Sequence, residues 1–144
     1  MSRTARWVLI APIAALALLQ LVPFGREHAN PPVVEEPQWD SPRTRDLVRR
    51  ACYDCHSNES RWPWYAHLAP ASWLVQNDVE EAREHLNFSE WHLPQRHQFE
   101  AVEMVEEGEM PLWYYAMMHP SARLDEAETA ALIAGLRATL GADE

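Results

Sequence analysis

The sequence predicts an all-α protein, a helical domain placed behind an N-terminal apolar helix. Three observations carry this. Apolar residues recur at helical spacing in four segments between Pro42 and Leu140, almost no segment alternates as a strand would, and prolines and glycines punctuate the intervals. The 144 residues suffice for one domain, and composition divides them into an apolar leader over 1–26, a proline-rich linker over 27–41 and the domain over 42–144.

The leader comes first. Arg3 and Arg6 precede a run from Trp7 to Phe24 that carries no charge but is interrupted by Pro12, Gln20 and Pro23. Eighteen residues at helical rise span about 27 Å, slightly under a hydrocarbon core of about 30 Å. A cleaved signal peptide would need a small-x-small site just after the run, and residues 21–28 have none, so an uncleaved signal anchor forming a transmembrane helix is expected. Basic residues before the run and acidic ones after it favour a single pass of the inner, cytoplasmic membrane with the N-terminus in the cytoplasm. The domain would then lie on the periplasmic, extracytoplasmic side.

From Ala29 to Pro42, across the linker and its junction with the domain, Pro31, Pro32, Pro37 and Pro42 deny regular helix and predict an extended spacer. Ser41 and Pro42 form an N-cap and first-turn pair, and Leu47, Val48 and Ala51 give one face of a short helix running into Cys52. Residues 57–70 are irregular and aromatic. A second helix is expected from Ala71 to Leu86 with Trp73, Leu74 and Ala82 inward, and a third from Pro94, using Phe99, Val102 and Val105, to a stop at Gly108. The last is the clearest: Asp125 with Glu128 reads as a capping box, Leu132, Ile133, Leu136 and Leu140 as its stripe, and Gly141 as its end.

Charge narrows the partners. Twelve arginines and no lysine stand against 22 acidic residues for a net charge of −10, and Arg3, Arg6 and Arg26 lie in the leader, leaving the domain more acidic still. Such a surface repels phosphate backbones, so no nucleic-acid partner is expected, and it would steer a basic protein toward itself.

The two cysteines are too close in sequence to staple distant parts of a fold, and they stand in Cys52-Tyr53-Asp54-Cys55-His56. This is the attachment pattern of c-type haem. One turn presents both thiols to the vinyl groups of a single covalent haem c, and the next imidazole coordinates iron. A thioredoxin-like redox pair would want a βαβ setting. A zinc site would have to borrow His28, His67, His85, His92, His97 or His119 without a recognisable spacing.

For the sixth position Met110, in Gly108-Glu109-Met110-Pro111, is the leading candidate, because a thioether on a loop between two helices can reach the far face of the iron. His67, His85 or His119, or an open site, are alternatives, while Met104, Met117 and Met118 read as core filler. Trp62, Trp64, Tyr65, Trp73, Trp113, Tyr114 and Tyr115 are expected to pack a core that is partly porphyrin.

With these residues in view, the chain resembles the bacterial haem-binding domain family of small, membrane-anchored, single-haem proteins. The likeness runs from about Asn30 to Leu140. It includes Asn-Pro-Pro-Val at 30–33, the stretch from Cys52 to Tyr65, Pro-Ala-Ser-Trp-Leu-Val at 70–75, His-Leu-Asn-Phe-Ser-Glu-Trp at 85–91 and Gly-Glu-Met-Pro at 108–111. The resemblance implies a class I cytochrome c-like helical fold wrapped around the haem, with Cys52, Cys55 and His56 as the attachment motif and Met110 on the methionine loop. It also implies a proline carbonyl, that of Pro70, receiving the proximal imidazole's hydrogen. Asn58, Glu59, Ser60, Arg61 and Trp62 match the pattern with no role attached. Electron transfer at the membrane surface, to a basic redox partner, is the expected function, and no enzymatic activity is expected. The rivals are a haem-based sensor in which a diatomic gas displaces Met110, and a peroxidase using His85 or His119 as acid–base group.

Overall fold

The computed structural model describes residues 3–141, so the outermost residues of the 1–26 and 42–144 segments lie outside it. Seven α-helices and two short 3-10 turns make up the described residues, with one isolated bridge between Glu35 and Glu90 and no strand. The all-α expectation is met. The chain forms two units, residues 1–29 with 62–78, and residues 30–61 with 79–144.

In the first unit α1 (Arg3–Leu19) contains Pro12, and Trp7, Val8, Leu9, Ile10, Ile13, Leu16 and Leu18 on it are exposed. It ends at Leu19 rather than Phe24, and no helix among the described residues is long and apolar enough to cross a membrane. The expected transmembrane helix is therefore corrected. Its continuation is taken up by tertiary contacts: the Gln20 amide donates to the Ala69 carbonyl at 2.8 Å and accepts from the Ala69 N–H at 3.0 Å. Gly25, at φ +75°, then turns the chain where a Cβ would lie 2.3 Å from the Ser72 carbonyl oxygen. His28 stacks on Trp62 at 4.5 Å and meets His67 edge-on at 4.4 Å.

The second unit is built around α2 (Pro42–Ala51), α3 (Tyr53–His56), the end of α4 (Ala71–His85), α5 (Glu100–Glu106), α6 (Trp113–Met118) and α7 (Glu126–Leu140). Ser41 caps α2 by accepting from the Thr44 N–H, and Asp125 with Glu128 closes the expected capping box on α7, which ends at Gly141 in the left-handed region. Leu47 and Val48 of α2, Val102 and Val105 of α5, and Leu132, Leu136 and Leu140 of α7 share one core with Tyr53, Leu86 and Phe88. Phe88 lies between Tyr53 and Trp91 in near-parallel stacks at 5.8 and 6.0 Å, with Trp39 tilted against it at 5.4 Å. Seen edge-on, that stack is the body of the core.

Several boundaries and faces differ from expectation. The third helix begins at Glu100, not Pro94, because Gln95 is spent on the loop: its amide accepts from the Asn87 N–H and donates to the Glu90 and Leu93 carbonyls. Leu74 and Phe99 are exposed, whereas Val102 and Val105 are buried as expected, and Ser72 and Val79 are the further inward positions. Met117 and Met118, read as filler, are exposed on α6, a helix that the sequence did not announce. The proline-rich stretch is extended but docked. Val34 and Glu35 donate to the Ser89 carbonyl, Trp91 donates back to Glu35, and Glu36 takes the Arg45 guanidinium in a two-point pair at 2.7 Å.

Candidate functional site

The Cys-x-x-Cys-His motif occupies the single turn α3 and its N-cap residue Cys52, directly after α2. The N–H groups of Cys55 and His56 both donate to the Cys52 carbonyl, at 3.1 and 2.9 Å, so both thiols and the imidazole issue from one tight turn. Neither cysteine is in a disulfide, and both are half-buried. Burial, and then the neighbouring Cys55, push the Cys52 thiol up to about 12.

His56 is oriented from behind. Its Nδ1 lies 3.0 Å from the carbonyl oxygen of Leu86, where a ring N–H donates to the backbone and leaves Nε2 to carry the lone pair. The expected Pro70 carbonyl is thus replaced by that of Leu86. Burial holds the imidazolium below its ordinary range, against the pull of the Leu86 and Ala82 carbonyls, so the ring is kept neutral as a ligand requires.

A buried polar net sets that carbonyl in place. Phe88 N–H donates to the His56 carbonyl at 2.8 Å, Asn58 N–H to Ser89 Oγ at 2.9 Å, and Asn87 Nδ2 to Asn58 Oδ1 at 2.9 Å. Asn58 Nδ2 further reaches the Pro32 carbonyl and Glu90, and Arg83 donates to the Ser57 carbonyl and Ser60. Four of the five residues without an assigned role acquire one here. Asn58 and Ser60 brace the segment 86–90 against the motif, Glu59 binds Arg49, and Arg61 binds Asp54.

Cys52 and His56 line a cavity of about 290 Å³ together with Met110 and Pro111. Its remaining wall is mostly apolar, from Ala51, Leu86, Phe88, Ala101, Val105 and Leu136, and Met104 lines it too. Cys55 shares the turn but is not among the lining residues. Met110 follows Gly108, which at φ +73° ends α5, and the N–H groups of Glu109 and Met110 both return to the Met104 carbonyl.

Of the alternative histidines, His85 lines the cavity beside His97, the two rings meeting edge-on at 4.7 Å, and His97 Nδ1 lies 2.8 Å from Glu100. His67 instead packs on His28, and His119 stacks on Tyr115 at 4.2 Å. Trp62, Trp64, Tyr65, Trp73, Trp113, Tyr114 and Tyr115 are not among the lining residues, and Trp64 and Trp113 are exposed; Phe88 is joined on the wall by aliphatic and thioether side chains, with His85, His97 and Glu100 as its further polar members. His97 enters the sequence reading only among the histidines that a zinc site would have to borrow, since no spacing marks it for this cavity. Among the described residues no group of three or more His, Cys, Asp and Glu is arranged to hold a bare metal ion.

The donor set and the apolar lining fit haem: a thiol-bearing turn, a neutral imidazole with one nitrogen tethered, and a thioether, on a cavity that Cys52 and His56 leave partly open. A helical domain so furnished has the character of a haem-binding protein. The chain belongs to the haem-binding domain family, whose model matches residues 14–138. No curated protein and no solved structure matches it.

Proposed function

We propose that this haem-binding chain is a c-type cytochrome that carries electrons outside the cytoplasm and is not an enzyme. The observation that carries the reading is His56 held through Nδ1 by the Leu86 carbonyl on the wall of a cavity shared with Cys52 and Met110. Bound haem supplies a one-electron ferric/ferrous couple. Cys52 and Cys55 would hold it as thioethers, and His56 and Met110 would ligate the iron. Methionine opposite histidine favours the ferrous state, which suits a carrier. The apolar wall around Phe88 would keep water from the bound iron.

The charged start and apolar run of the leader support export, and the exposed apolar side chains of α1 support residence at the inner membrane on its periplasmic side. Residence there raises the effective concentration near membrane redox complexes, and the acidic surface favours a basic partner. A second reading has His85 in the sixth position, favoured by its place on the same cavity.

The test is optical spectroscopy of the matured protein and of Met110→Ala and His85→Ala. The ferric wild type shows the weak far-red band of iron bound to methionine sulfur, and Met110→Ala abolishes it. A band lost only in His85→Ala, or a Met110→Ala spectrum like the wild type, rejects Met110.

A further inference from the structure

The segment bearing Met110 is tied at both ends. Upstream, the paired N–H bonds of Glu109 and Met110 to the Met104 carbonyl, 2.9 and 3.0 Å long, fix it to α5. Downstream, on α6, Tyr115 Oη donates to Asp54 Oδ2 at 2.7 Å. Asp54 stands between Cys52 and Cys55, so this hydrogen bond joins the helix after Met110 directly to the turn that carries both thiols and His56.

The acceptor is built for the purpose. Asp54 is only 9% exposed, and Arg61 holds it from the other side: its backbone N–H and Nε donate to Oδ1 at 3.2 and 3.0 Å, and Nη2 to Oδ2 at 3.2 Å. A buried carboxylate is costly unless paired and hydrogen-bonded, and here every bond also fixes its direction. Phenylalanine at position 115 would supply the same ring packing, so what the hydroxyl adds is the link to Asp54.

We propose that Tyr115 is a positioning residue that latches the Met110 segment to the haem-attachment turn through Asp54, holding the thioether at the cavity against competing ligands, with Arg61 fixing the carboxylate. The latch rests on Met110 as the distal ligand.

Imidazole is titrated into the ferric, full-length holoprotein while the methionine–sulfur band is followed. Loss of a hydrogen bond to a charged group makes displacement easier, so Tyr115→Phe binds imidazole about tenfold more tightly than wild type. Asp54→Ala moves the same way, and the double variant goes no further than the stronger single one, because both remove one interaction. Leu140→Ala removes a buried side chain that does not line the cavity; it lowers thermal stability and leaves imidazole affinity unchanged. A Tyr115→Phe protein with wild-type affinity, or a Leu140→Ala protein with the same gain as Tyr115→Phe, overturns the latch while Met110 stands. A wild-type ferric protein without the sulfur band overturns Met110 and the latch together.

Discussion

Replacing Gly135 by alanine sets two effects against each other on α7. In an exposed helix interior alanine is favoured over glycine by about 1 kcal/mol. Gly135, however, is buried where α7 crosses α2, and a Cβ there would stand 2.1 Å from Thr44 Oγ1, 2.6 Å from Cγ2 and 2.8 Å from Cβ. Ordinary carbon contacts lie near 3.5–4.0 Å, so the helices must part by roughly 1 Å or Thr44 must turn away. Turning relieves the outer atoms but leaves Cβ, which moves only with the α2 backbone. It also disturbs the 2.9 Å contact of Thr44 Oγ1 with Ser41, the cap of α2. Overpacking of this kind costs about 1–3 kcal/mol and the weakened Ser41–Thr44 hydrogen bond about 1 kcal/mol more, which after the propensity gain leaves a net loss of about 1–3 kcal/mol. In a domain of this size that lowers Tm by about 4–8 °C per kcal/mol, measured by thermal melting under circular dichroism. Thr44→Ala, which clears two of the three atoms, should recover part of the loss when combined with Gly135→Ala, so that the cycle is non-additive. A Gly135→Ala protein as stable as wild type would refute the close crossing of α2 and α7, and with it the seating of the helix that delivers Cys52.

Three further outcomes follow from named contacts. Asn58→Ala leaves Asn87 Nδ2 without its acceptor and Glu90 without its donor inside the polar net, which costs about 2–4 kcal/mol in urea unfolding; a loss under 0.5 kcal/mol would show that the net does not brace the Leu86 carbonyl. Glu36, held down to about 2 chiefly by the Arg45 hydrogen bonds, contributes stability that is present above its ordinary value of 4.5 and is lost as pH falls through 2. Arg45 is partly exposed, so screening reduces the pair to about 1–2 kcal/mol; Glu36→Gln should destabilise the protein by that much at pH 7 and by little at pH 2, and an equal loss at both would contradict the ionic origin. Gly25→Ala, with a Cβ 2.3 Å from backbone at a positive φ, should lower Tm by several degrees, whereas Gly108→Ala, which meets nothing within 4 Å, bears only the φ penalty and should lower it less.

What the sequence disclosed was local. The capping box of α7, the Ser41 cap of α2 and the Cys-x-x-Cys-His turn each depend on residues a few positions apart, and each stands where those residues are. What it withheld depends on distant partners. The carbonyl behind His56 comes from Leu86, thirty residues on, and is set by Asn58, Asn87 and Ser89 bonding side chain to backbone, an arrangement with no periodicity to read. The start of α5 was misplaced because a glutamine took the loop's hydrogen bonds, and α1 stopped short because another glutamine found Ala69. Aromatic richness pointed to the cavity wall, yet Phe88 alone of the aromatic residues Phe, Trp and Tyr lines it, because the apolar wall is supplied by Ala101, Met104 and Val105 of α5 with Ala51, Leu86 and Leu136.

The central claim is that one porphyrin is covalently held by Cys52 and Cys55, and intact-mass measurement of the matured protein after treatment with a thiol alkylator tests it most directly. The account predicts a chain heavier by one haem, coloured, with neither cysteine alkylated. A colourless chain at its bare mass that takes up two alkyl groups would contradict it.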